Sequence, residues 1–377
     1  MRHAGSKRFD AGLLLCAALM LTPLAVLAPS RAMADDSGQQ RAQQAGRALI
    51  NKPAPRLVRK TIDGDTIDLG SLYGKKAVYL KFWATWCVPC RQQMPHFQHV
   101  YETEGPDLAV IAVDVGFNDS VEAIRSYRKK LGITMPVIFD DGSLASAFHV
   151  RVTPTHVVIG HNGRIQYVGH LANSELDAAL IAARTVPSRA SARTASLSNG
   201  TAEASGSARD EAVAVGDRLP PLELPTLDGA PFDLAPGAKD RAATVLVFLS
   251  PWCESYLAES RPESSTSCKS ARTAIDGLQQ LARVRWLGVA SGLWADEGDL
   301  RKYREKYSVK LPLTLDASGD VFRRFRVNDV PTVLIADASG RLVRRLDPDK
   351  LNDAALDAGV LRKAIAAADT PARVSAR

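Results

Sequence analysis

The 377-residue chain is poor in most features that would assign it quickly. Beyond its N-terminal segment, no apolar run approaches the ~20 residues of a spanning helix, which excludes a polytopic membrane protein. Methionine is scarce, with five residues, and Met1, Met20 and Met33 lie near the N-terminus. The histidines form no tract either, so no segment is built for metal handling. No phosphate-cradling glycine loop, H-E-x-x-H helix or serine elbow occurs. A strong charge of one sign is missing too. The formal net charge of +7 is spread along the chain and reads as solubility, not as a nucleic-acid footprint. With 46% apolar residues, 26 Gly and 21 Pro, the composition excludes collagen, wholesale disorder and a disulfide-dense miniprotein. There are only five cysteines, an odd number, and dividing them organises the rest.

The N-terminus carries Arg2, Lys7 and Arg8, then the Leu- and Ala-rich stretch 11–28, then Ala32-Met33-Ala34. This is the layout of a secretory signal peptide over residues 1–34, cut after Ala34. Pro23 within the stretch and the small-x-small triplet favour cleavage over a retained anchor. Cys16 leaves with the leader, and Leu15 before it is not the small residue that a lipidation site needs. Loss of Arg2, Lys7, Arg8, Arg31 and Asp10 lowers the net charge from +7 to +4. The expected location is periplasmic or otherwise exported, where paired cysteines persist as disulfides.

Residues 35–48 are Gln-rich and polar, and a disordered arm is expected there. Residues 187–210 are nearly all small or polar and read as a flexible linker. The linker separates two units, 49–186 and 211–370, that look alike. Each has a Thr-Ile-Asp-Gly or Thr-Leu-Asp-Gly turn, at 61–64 and 226–229. Each then has a β-rich apolar run (Ala77–Trp83; Thr244–Leu249) that leads into Trp-Cys. Helical stretches alternate with further strands, and Thr153-Pro154-Thr155 and Val330-Pro331-Thr332 each open a late strand. Asn162-Gly163 and Ser339-Gly340 are hairpin turns. The reading is an α/β chain of two tandem domains, each a central mixed sheet flanked by helices. The continuous apolar strands suit sheets covered on both faces.

Trp86-Cys87-Val88-Pro89-Cys90 sits where a strand gives way to a helix. Unpaired N–H groups and the helix dipole lower a thiol pKa there, and the thiolate is the nucleophile. The two-residue spacer lets the second sulfur attack a mixed disulfide. Cys87 is expected to be the attacking, more exposed thiol and Cys90 the buried, resolving one. Half of a zinc site would need two more ligands, and His96 and His99 do not offer suitable spacing. Lys81, six residues before Cys87, would stabilise a thiolate if it pointed inward. It is expected instead to snorkel from the strand.

Trp83-Ala84-Thr85-Trp86-Cys87-Val88-Pro89-Cys90, Pro95 and Thr153-Pro154 together resemble the thioredoxin-fold, extracytoplasmic thiol–disulfide oxidoreductases of the TlpA/ResA type, over about residues 50–186. The resemblance implies that Pro154 is cis beside the dithiol and that Thr153 offers its backbone to an extended substrate. It implies that Pro95 kinks the active-site helix. It also implies disulfide reduction on protein substrates through a mixed disulfide, electrons from a membrane-bound donor, and no cofactor or nucleic-acid partner.

In the second unit Cys253 follows Trp252, but Cys268 comes 15 positions later. Cys268 to Pro331 is 63 positions and Cys90 to Pro154 is 64, which points to an insertion between the cysteines. The inserted segment 254–267 reads as a polar loop, with Cys268 at the start of a helix over 269–281. This pair is either redox-active or a structural disulfide, within a divergent redoxin-like domain. Two other functions compete. A thiol peroxidase centred on Cys253 lacks the Pro-x-x-x-Thr/Ser-x-x-Cys motif. A copper carrier using Cys87 and Cys90 lacks supporting Met or His.

Overall fold

The computed structural model describes residues 31–103, 105–185, 212–236, 242–279, 281, 284–348 and 358–369. The expected linker and most of the expected leader lie outside these residues. Among the described residues no helix is long and apolar enough to cross a membrane.

The two units are built on one plan. In the first, β1 (Val58–Lys60) and β2 (Thr66–Asp68) form a hairpin. The main sheet contains β3 (Ala77–Trp83), β4 (Leu108–Asp114), β5 (Val137–Phe139), β6 (Thr155–Ile159) and β7 (Ile165–Gly169), in the order β5-β4-β3-β6-β7. β3 pairs in parallel with β4 and antiparallel with β6. In the second unit β8 (Glu223–Pro225) and β9 (Pro231–Asp233) repeat the hairpin. The strands β10 (Ala243–Leu249), β11 (Val284–Ser291), β12 (Leu313–Asp316), β13 (Thr332–Ala336) and β14 (Leu342–Leu346) repeat the sheet as β12-β11-β10-β13-β14. Even the register shift in the last pair recurs, at Val158/Ile159 and at Ile335/Ala336. These are two thioredoxin-like domains.

The central strands β3 and β10 are buried along their whole length. Both faces lie under helices or loops, so apolar residues are needed at every position rather than at alternate ones. The buried apolar side chains of the first domain run on into the second through Cys253, Leu257, Phe322 and Phe325. A separate cluster with Val245, Ala271, Leu300 and Ile365 lies wholly in the second domain.

Two expectations need correction. The arm at 35–48 is ordered: α1 (Arg31–Gly46) and a short 3-10 turn (Arg47–Leu49) cover it. Gly38, Ala42 and Gly46, spaced by four, line one face of α1. A Cβ on Gly46 would meet Val168 at 2.5 Å, and one on Gly38 would meet the His170 ring at 2.6 Å. The small-residue stripe therefore lets a polar helix lie close against the end of β7. Gln39 fixes it by accepting the His170 N–H at 2.6 Å and the Leu171 N–H at 3.0 Å.

The insertion between Cys253 and Cys268 is not a loop. It forms a helix over Cys253–Ser260, a break at Arg261, and a second helix over Pro262–Asp276. Cys253 and Leu257, one turn apart, are buried together, which holds the first helix down. Pro262 opens the second, where its missing N–H costs nothing. Cys268 therefore lies inside a helix rather than at its start.

Candidate active site

β3, which follows the short helix α2 (Leu69–Leu72), ends at Trp83, and the chain turns through Ala84–Trp86 into α3 (Val88–Gln92), with α4 (Met94–Thr103) following. The helix breaks at Gln93, two residues before Pro95, as a proline lacking its N–H requires. Cys87 caps α3, and its Sγ accepts the Cys90 N–H at 3.2 Å. Pro89 occupies the first turn, where no intrahelical donor is needed. Cys87 and Cys90 form a disulfide with an S–S distance of 2.03 Å and Cα atoms 5.2 Å apart. The Thr153–Pro154 bond is cis, and Thr153 O lies 3.3 Å from Cys87 Sγ. The structure thus brings Trp86, Cys87, Pro89, Cys90, Thr153 and Pro154 to one place.

The loop before Cys87 is fixed by groups from the end of β4. Trp86 Nε1 donates to Phe117 O at 2.7 Å. Asp119 accepts from Thr85 N at 2.7 Å and from Thr85 Oγ1 at 2.9 Å. Asp114, fully buried nearby, has its carboxyl pushed well up by burial and then by the Asp119 charge. Neither carboxylate was singled out from the sequence. Asp114 ends β4 and Asp119 follows in the next loop, with no motif to mark either.

Lys81 does not snorkel. It is fully buried, its Nζ has no hydrogen-bond partner, and it lies 5.4 Å from the centroid of the Phe97 ring. Burial lowers its pKa from 10.5 to about 7. The amine is therefore largely neutral at alkaline pH and supplies no fixed positive charge. Beside it on β6, His156 is also buried, its pKa pushed well below the usual range by burial and then by Lys81. Its Nδ1 lies 2.8 Å from Tyr79 Oη and its Nε2 lies 2.8 Å from Gln93 Oε1. Gln93 Oε1 is an acceptor, so the network assigns the proton to Nε2 and makes Tyr79 the donor to Nδ1. His156 thereby anchors the kink residue Gln93 to the sheet.

The second domain repeats the arrangement in altered form. Cys253 and Cys268 are disulfide-bonded, with Cα atoms 6.3 Å apart. Val330–Pro331 is cis, and Val330 O lies 3.8 Å from Cys268 Sγ. Trp252 Nε1 donates to Leu293 O at 2.6 Å, as Trp86 does to Phe117 O.

One expectation about exposure fails. Cys87 was to be the more exposed thiol, yet Cys87 and Cys90 are both fully buried. The second domain lies against the flanking residues: Trp252 packs on Trp86 with centroids 5.0 Å apart, and Tyr256 Oη accepts the Val88 N–H at 3.1 Å.

Comparison with known proteins finds relatives of the first domain. A family model described as the AhpC/TSA family matches residues 50–168. The thioredoxin-like protein YneN of Bacillus subtilis is 33% identical over 127 residues, covering 33% of this chain and 74% of that protein. The thiol-disulfide oxidoreductase ResA of the same organism is 33% identical over 125 residues, 32% of this chain and 68% of that protein. Among solved structures, a thiol:disulfide interchange protein of the thioredoxin family from Chlorobium tepidum is 30% identical. It covers 35% of this chain and 96% of its own, at a TM-score of 0.31.

Proposed function

The chain belongs to the thioredoxin-like thiol–disulfide oxidoreductases, and we propose that it is an exported protein-disulfide reductase working through Cys87 and Cys90. The observation that carries this reading is the Cys87–Cys90 pair capping α3, with the Cys90 N–H on Cys87 Sγ and Thr153 O beside it. An N–H aimed at Cys87 Sγ stabilises the thiolate in the reduced form. The backbone next to cis-Pro154 is the ledge on which an extended substrate would lie.

In the reaction the Cys87 thiolate attacks one sulfur of a target disulfide. A Cys87–target bond forms, the target S–S bond breaks, and the other target sulfur leaves as a thiolate. Cys90 then attacks Cys87 Sγ, forming the Cys87–Cys90 disulfide and expelling the second target thiolate. Two electrons and two protons pass to the target, and the protein leaves oxidised. A donor dithiol on the membrane side restores it. The leader-like segment supports export, and an oxidising space is where a dedicated reductase is needed.

A thiol peroxidase centred on Cys253 fits less well, because Cys253 is bonded to Cys268 and no peroxide-positioning motif precedes it. The test is insulin reduction driven by a dithiol. The wild type should be active and Cys87→Ser inactive, while Cys90→Ser should accumulate a mixed disulfide. Full activity in Cys87→Ser would overturn the assignment.

A further inference from the structure

The two domains do not merely adjoin; they meet face to face about a pseudo-two-fold axis. Asn118 follows Phe117, the acceptor for Trp86, and Trp294 follows Leu293, the acceptor for Trp252. Both hold left-handed backbone, with φ of 49° and 57°. Each donates its N–H across the domain boundary to the residue three before the other domain's cis-proline. Asn118 N donates to Asn328 O at 2.8 Å, and Trp294 N donates to Arg151 O at 2.7 Å. Such reciprocal pairing is the mark of an isologous interface, here made within one chain.

The pairing occupies the surface on which a substrate would lie. Trp294 Nε1 donates to Thr153 Oγ1 at 3.2 Å, on the residue before cis-Pro154. Val330 N, before cis-Pro331, donates to Asn118 Oδ1 at 2.8 Å. Trp252 and Tyr256 cover Trp86, and Phe322 packs against Phe117 with centroids 6.0 Å apart. Arg261 adds charge: it reaches the Thr85 hydroxyl and lies 3.2 Å from the buried Asp119 carboxylate.

We propose that the second domain is the resident occupant of the first domain's substrate face. It keeps the Cys87–Cys90 pair covered until an extended, disulfide-bearing polypeptide displaces it. Such a polypeptide must replace the lost contacts: a backbone N–H for Arg151 O and an apolar or aromatic side chain against Trp86. The inference rests on Cys87–Cys90 being the working dithiol.

The test follows the oxidised full chain during reduction by dithiothreitol and by a reduced thioredoxin-sized protein, with alkylation and mass spectrometry resolving Cys87–Cys90. In the triple variant Tyr256→Ala, Arg261→Ala, Trp294→Ala, the Cys87–Cys90 pair should be reduced at least tenfold faster than in the wild type, most clearly by the protein reductant. Rates that are equally fast in the two proteins would overturn the inference. Slow reduction of that pair by both reductants in both proteins would instead overturn the dithiol reading beneath it. The wild type alone supplies a check that needs no variant. The Asn118, Trp294 and Val330 amides, which bond across the boundary, should be protected from hydrogen exchange. Exchange at open-loop rates would show that the faces do not dock.

Discussion

Replacing Lys81 by methionine should stabilise the protein, and the gain should shrink as the pH rises. The lysine is fully buried with an unpartnered Nζ, and burial lowers its pKa from 10.5 to about 7. Between those values the unfolded chain holds a proton that the folded chain does not, so folding must expel it. Stability therefore climbs with pH across this window and levels off above 10.5. At 1.36 kcal/mol per unit, the full penalty approaches about 5 kcal/mol below pH 7. Between pH 7.0 and 9.5 it should fall by about 3 kcal/mol. Methionine fills a similar volume and carries no proton. The assay is denaturant unfolding of oxidised wild type and Lys81→Met at both pH values. Taking the difference between the two proteins cancels the titrating groups that do not feel Lys81. The variant should be the more stable at pH 7.0, and its advantage should narrow by a few kcal/mol at pH 9.5. A difference that stays constant with pH would show that Lys81 keeps its proton in the folded state, and the reasoning would be wrong.

Three further outcomes are expected. Gly46→Ala places a Cβ 2.5 Å from Val168, so α1 should detach from β7, and limited proteolysis should cut near residue 46 far faster than in wild type. The double variant Cys253→Ser, Cys268→Ser removes a cross-link spanning 15 positions and should cost about 3 kcal/mol in unfolding free energy. Its insulin reduction should persist, whereas loss of activity in a folded protein would make that pair part of the electron path. Tyr79→Phe removes the donor to His156 Nδ1 and should cost about 1–3 kcal/mol by denaturant titration, with no new pH dependence near neutrality.

The features legible in the sequence were those written locally and written twice. The Trp-Cys junctions, the strand runs and the Thr-Pro and Val-Pro openings recur in order, so the duplicated α/β plan and the pairing of Cys87 with Cys90 could be read directly. The burial of Lys81 was readable in principle as well. A strand that is apolar at every position has helices or loops on both faces, and a lysine within Ala77–Trp83 has no surface to reach. Lys81 has no exposed side toward which it could snorkel. The helix over 31–46 was hidden for another reason. Its buried face is made of Gly38, Ala42 and Gly46, which add almost no hydrophobicity and are visible only as a spacing of four.

The docking of the domains was not legible, because its contacts join residues that local pattern never relates. Trp86 and Trp252 each read as the flank of a cysteine motif, yet they pack on one another across 166 positions of sequence. The insertion between Cys253 and Cys268 shows the limit most clearly. Judged against the first domain it is a departure that weakens a redox motif. In the fold it carries Tyr256 and Arg261, two interface residues without a counterpart in the first domain. The reciprocal bonds of Asn118 and Trp294 would hold two equivalent halves together. Tyr256 on the Val88 N–H and Arg261 on Asp119 act in one direction only, from the second domain onto the loop that carries Cys87. Shortening the insertion to a two-residue spacer would remove both at once while leaving the symmetric bonds in place. The inserted segment therefore contributes to the asymmetry of the pair, as do the one-sided ion pairs of Arg41 with Asp296 and Asp299.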